Sequence, residues 1–159
     1  MATLEINAPP DRSPDLVKLG WAYLGPVMMT CGEAGDMPVD RFDEWISDLG
    51  RHQFDYVLGS TIGPTAISGN QRRRVVEALK GKKVVVIIDN RVMRGILTAL
   101  GWLGLQLRSF EWSELESAAK YLDVPGLEPQ QLVDALWSLR EATTGERRPG
   151  SSAEHSIQA

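Results

Sequence analysis

Two groups of residues in this sequence have the types and spacing to do chemistry. In "VVVIIDNRVMRGI", five apolar residues, Val84 to Ile88, run into Asp89-Asn90 and then into a helical turn carrying Arg91 and Arg94. The carboxyl end of a buried strand, where it feeds a helix, is the usual ligand position in α/β proteins. Asp89 could hold a metal or act as a base. Asp or Asn ahead of a helix is also the preferred N-cap, stabilising by about 1 kcal/mol. Cations in a first helical turn oppose the macrodipole, which calls for an acidic partner such as Asp89 or for a bound anion. Asn90, Arg91 and Arg94 are therefore candidates for holding an anion or a partner's carboxylate.

The second group is the hydroxyls of "GSTIGPTAISGNQ": Ser60, Thr61 and Ser68. Ser68 and Gln71 have the S-x-x-Q spacing of a capping box. A phosphoryl group on Ser68 would also sit at a favourable helix end. All three hydroxyls are candidates for a partner contact or phosphorylation. The loop lacks the G-x-x-x-x-G-K-[ST] pattern of a phosphate-cradling loop, which argues against nucleotide hydrolysis. Catalytic constellations do not assemble. The histidines are His52 and His155, Cys31 stands alone, and no metal cluster or carboxylate pair shows a defined spacing. The expectation is a non-enzymatic protein with no cofactor and no metal.

Composition narrows the partners. A chain of 159 residues with 43% hydrophobic and 24% charged residues suits one domain with a proper core. A net charge of -4 gives no global attraction to nucleic acid. Arg72-Arg73-Arg74 would spread around a helix rather than form a stripe, so a solvated face is expected there. One cysteine excludes an internal disulfide framework and fits a reducing cytoplasm. The most apolar run, "GILTALGWLGLQL", is shorter than the roughly 20 residues of a membrane span.

The elements that must position these residues follow from periodicity and punctuation. Residues 1–14 and 143–159 read as a disordered leader and tail around a domain at 15–142. "LVKLGWAYLGPVMMTCGE" predicts a hairpin turning at Leu24-Gly25-Pro26. Phe42, Trp45, Ile46 and Leu49 recur at helical spacing, and Gly50 closes that helix. "FDYVLGST" is a strand and "IGPTAISG" a turn-rich connection into the helix "NQRRRVVEALKG". "KKVVVIID" predicts a central strand buried on both faces, the least exposed of all. A helix over 91–103 and the strand "LQLRSFE" follow. Ser113 and Glu116 repeat the capping-box spacing before "LESAAKYL". Pro129 opens a last helix with Leu132, Leu136 and Leu139 on one face. The sum, β-β-α-β-α-β-α-β-α-α, is an α/β domain with a mixed, mostly parallel central sheet opened by a β-hairpin and flanked by helices. Trp137 beside the last leucine stripe suggests a homodimer contact.

In "VVVIIDNRVMRGILTALGWLGLQLRSFEWSELESAAKYL", an apolar strand, a polar cap, an RG-x-x-TAL-x-WLG helix, an R-x-F strand and a closing helix follow one another. With the order of elements, this resembles the STAS/SpoIIAA-like group of bacterial domains (STAS/SEC14-type), over roughly residues 16–124. The resemblance implies a single small domain acting as a regulatory or protein-interaction module through a protein partner. Relatives that antagonise anti-sigma factors are switched by phosphorylation of a serine matching Ser68, but they carry an acidic residue where this chain has Ile67. Other members imply the alternative role, a carrier or sensor of a small apolar or anionic ligand between sheet and helices. Met28, Met29, Met93 and Trp102 fit that role, and equally fit a filled core.

Overall fold

The computed structural model describes residues 2–11, 13–89, 91, 95, 97, 101 and 104–150. Six strands, β1 (Leu4–Asn7), β2 (Leu19–Leu24), β3 (Val27–Asp36), β4 (Tyr56–Ala66), β5 (Lys83–Ile87) and β6 (Gln106–Phe110), form one sheet whose spatial order is the chain order. β1–β2 and β2–β3 pair antiparallel, and β3–β4, β4–β5 and β5–β6 pair parallel. The α/β class and the mixed sheet opened by a hairpin are as expected. Gly25 makes the hairpin turn at φ +54°, a conformation that side chains with a Cβ disfavour.

Parallel neighbours need crossovers, and crossovers of one hand advancing in one direction all fall on one face of the sheet. Helix α1 (Val39–Leu49) and helix α2 (Gly69–Leu79) lie there, packing Phe42, Trp45, Leu49 and Leu79 against Trp21, Met28, Val57 and Val84. The link between β5 and β6 is helical at its described positions, Arg91, Gly95, Leu97 and Gly101. The opposite face is covered by α3 (Leu115–Leu122) and α4 (Pro129–Thr144), which bury Ala22, Met29, Leu58 and Ile87 beneath Leu122, Leu136 and Leu139.

Five expectations are corrected. Leu4–Asn7, placed in a loose leader, is the edge strand β1. It covers the open hydrogen-bonding edge of β2, and the Arg41 guanidinium holds its end at Asn7 O, 3.0 Å away. "IGPTA" is not a turn, because β4 runs on to Ala66 beside an equally long β3, absorbing Gly63 (φ +81°) where the register shifts. The least exposed strand is β2, all six residues buried, rather than β5, since both sheet faces and both neighbours enclose it. The cap before α3 is formed by Glu111 and Glu114, not Ser113 and Glu116; Glu114 Oε1 accepts from Glu111 N–H at 2.9 Å, opening a short 3₁₀ turn first. The tail is docked at its start: α4 extends to Thr144, Gly145 caps it at φ +80°, and Arg148 pairs with Asp134 at 2.8 Å. Residues 151–159 lie outside the described residues.

Candidate ligand cavity

On the sheet face beneath α1 and α2, side chains alternate inward along each strand. At two of these inward positions, Gly32 on β3 and Gly59 on β4, there is no side chain. A Cβ on Gly59 would stand 3.2 Å from Thr30 Oγ1 and 3.7 Å from Val86 Cγ2, and one on Gly32 would stand 3.4 Å from Met37 Cε. The volume these glycines leave empty is part of a cavity of about 160 Å³. Thr30, Thr61 and Val86 line its floor, and Phe42, Trp45, Val75, Leu79, Leu97 and Leu107 are among its walls. No described residue lining it is charged. An engineered apolar cavity of about 150 Å³ is large enough to bind benzene.

Hydrogen bonding around the cavity is uneven. Ser60 Oγ donates to Thr30 O at 2.7 Å, and Thr65 Oγ1 donates to Glu33 O at 2.8 Å, both tying β4 to β3. Thr61 Oγ1 and Trp45 Nε1, both buried, have no hydrogen-bond partner among the described residues. Buried polar groups are paired in the large majority of cases, so these two are exceptions on residues that line the cavity.

The expected site residues are thus divided. Ser60 and Thr61 lie at the cavity. Ser60 is buried and engaged, closed to a modifying enzyme. Ser68 is exposed at the head of α2, where the capping box is complete: its Oγ accepts from Gln71 N–H at 3.1 Å, and Gln71 Oε1 accepts from Ser68 N–H at 2.9 Å. It borders a separate shallow hollow with Met37, Val39 and Ile67. Arg91 is exposed and does not line the cavity; Asn90 and Arg94 lie outside the described residues. Asp89 accepts from Trp112 N–H at 2.9 Å, fastening the end of β5 to the turn after β6. Among the described residues, no cluster of His, Cys, Asp and Glu could hold a metal ion, and no helix is long and apolar enough to cross a membrane.

The periodicity that predicts α1 marks Trp45 as core and gives no sign of its unpaired N–H. Glycines inside strands, in "TCGE" and "LGST", are the signal that could have located the cavity.

A second polar cluster clamps α1 to β2. Asp48 Oδ2 accepts from Trp21 Nε1 at 2.8 Å and from Tyr23 Oη at 2.9 Å, and Arg51 approaches Oδ1 at 3.2 Å. The His52 ring stacks on Tyr23 with centroids 3.9 Å apart. Burial alone would raise the Asp48 pKa, but the bonds from Trp21 and Tyr23, with the charge of His52, outweigh it and hold the carboxyl below its ordinary range. Burial first, then the bond to Asp48, raises the Tyr23 phenol, so it stays protonated and serves as a donor. Cys31 is buried, and desolvation pushes its thiol up to about 11, which removes it as a nucleophile. Trp137 is engaged within the chain: its ring lies 5.3 Å from that of Trp112, with the Arg140 guanidinium against both.

The chain matches no protein-family model and no curated protein.

Proposed function

We propose that this protein is a non-enzymatic binding domain that carries or senses a small apolar molecule in the cavity between the sheet and α1, α2 and Leu97. The observation that carries this reading is the cavity of about 160 Å³ floored by Gly32 and Gly59, whose described lining residues carry no charge. An apolar guest seated there would remove these apolar walls from water, which is favourable. Of the two roles implied by the STAS/SpoIIAA-like resemblance, the carrier or sensor role has this support, and the apolar rather than the anionic ligand fits the walls.

Native mass spectrometry of freshly purified protein and titration with toluene test the reading. Gly59→Val and Val86→Phe each fill the hollow from a different strand and are expected to abolish toluene binding while the far-ultraviolet dichroism is retained. If the unaltered chain holds no guest and takes up no toluene, the reading is wrong.

A second reading, a regulatory contact with a protein partner, is favoured by one observation. Val39, at the head of α1, is 65% exposed beside Ser68 and Ile67. Val39→Asp and Ser68→Asp would change the set of proteins retained from cell extract if this surface is the contact, and identical sets would count against it.

A further inference from the structure

We infer that Thr30 selects the guest: its hydroxyl holds the one hydrogen-bonding group of a small neutral molecule whose remaining body is apolar. This rests on the binding role proposed above and names the chemistry of its ligand.

Strand register places Thr30 at the centre of the cavity floor. Side chains alternate along β3, so Thr30 faces the same way as Met28, which packs beneath α1 and α2. Its neighbours on that face are Met28 and Gly32 along β3, Trp21 on β2 and Gly59 on β4. Two of these four are glycines, and they are the two that floor the cavity. Thr30 Oγ1 is turned toward the bare position on β4, 3.2 Å from where a Gly59 Cβ would stand. Thr30 therefore keeps accessible surface in the middle of the sheet, where Trp21, Met28 and Met29 keep none.

The other polar side chains of the described lining are engaged or closed off. Ser60 Oγ and Thr65 Oγ1 donate to main-chain oxygens of β3, and Thr61 Oγ1 and Trp45 Nε1 are shut even to a water molecule. The Thr30 hydroxyl makes no hydrogen bond among the described residues and is not shut off. A threonine hydroxyl donates or accepts, so a carbonyl, an ether or a hydroxyl on the guest satisfies it. In apolar surroundings a polar group without a partner is costly, so this one hydroxyl fixes which end of the guest meets the floor. The same cost excludes a carboxylate or phosphate, because no described lining residue is charged. Size sets the rest: about 160 Å³ takes a single ring with a short substituent.

Phenol, toluene and benzoate are the probes, titrated calorimetrically into the full chain and into Thr30→Val, Thr30→Ser and Thr61→Val. Phenol and toluene share a shape, but phenol loses more hydration on entry, so it competes only where the cavity supplies a hydrogen bond. Valine keeps the β-branched shape of threonine and removes the hydroxyl. The ratio of phenol to toluene affinity is expected to fall about tenfold in Thr30→Val and to recover in Thr30→Ser. Thr61→Val, which removes a hydroxyl that is shut off, should leave the ratio unchanged. Urea denaturation separates binding from a structural role. Because the Thr30 hydroxyl has no partner among the described residues, Thr30→Val should be as stable as the parent, and a loss of stability would assign the hydroxyl to the fold instead. Toluene binding without phenol binding, a ratio unmoved by Thr30→Val or moved as far by Thr61→Val, or tighter binding of benzoate than of phenol would overturn the inference and leave the carrier reading standing. Binding of none of the three probes would remove the carrier reading and this inference with it.

Discussion

Gly20 on β2 and Thr143 on α4 approach so closely that a Cβ on Gly20 would lie well inside contact distance of Thr143 Oγ1. Thr143 is fully buried and its hydroxyl already donates to Leu139 O at 2.8 Å, so it has no space to move into. Gly20→Ala is therefore expected to destabilise the fold by about 1–3 kcal/mol, the usual cost of overpacking. Urea denaturation measures it. A variant as stable as the parent would show that the α4–β2 spacing is looser than described.

Asp48 makes stability depend on pH. Its folded-state pKa is lowered, so its contribution is fully present above the unfolded value, about 4, and is lost as pH falls through the lower folded value. Asp48→Asn is expected to cost about 1–2 kcal/mol at neutral pH, through weaker bonds to Trp21 and Tyr23, and to flatten the stability profile below pH ~5. Denaturant midpoints at a series of pH values test both. A parallel drop in parent and variant would place the acid sensitivity elsewhere.

Ser68 separates capping from signalling. Ser68→Ala removes one half of the capping box and should cost about 1 kcal/mol. Ser68→Asp retains a cap acceptor and adds a charge that the helix N-terminus favours, so it should leave the melting temperature near that of the parent. Equal losses in the two variants would mean that the hydroxyl's role is something other than capping.

Cys31 should resist thiol reagents. With its pKa near 11 and its side chain buried, the thiolate is scarce at pH 8, and labelling is expected only upon unfolding. The rate of reaction with a chromogenic disulfide, with and without urea, checks this. Rapid labelling of the native chain would reveal an opening of the α4 face.

Local signals were the legible part of this fold. Phe42, Trp45 and Leu49 at helical spacing specify α1, the Ser68–Gln71 pair opens α2, and Pro129 starts α4 at its first position. What escaped was set at a distance. β1 is four residues stabilised by the edge of β2 and by Arg41, none of which is local in sequence. Nothing local in the sequence singles out Asp48, because its partners Trp21 and Tyr23 lie 27 and 25 residues away. The cavity was hidden for a related reason: it is an absence of side chains at two strand positions brought together only by the pairing of Gly32 with Thr61 and of Gly59 with Val86.

The identity of sheet order and chain order has a bearing on biogenesis. Each strand pairs with the one made just before it, so closing each new ladder spans a short loop and the sheet can grow as the chain is synthesised. α4 is the exception, returning from the C-terminal end to cover β2 and β3. Until Thr144 has emerged from the ribosome, Gly20, Ala22 and Met29 present an uncovered apolar surface, and the nascent sheet depends on its last helix for protection from aggregation.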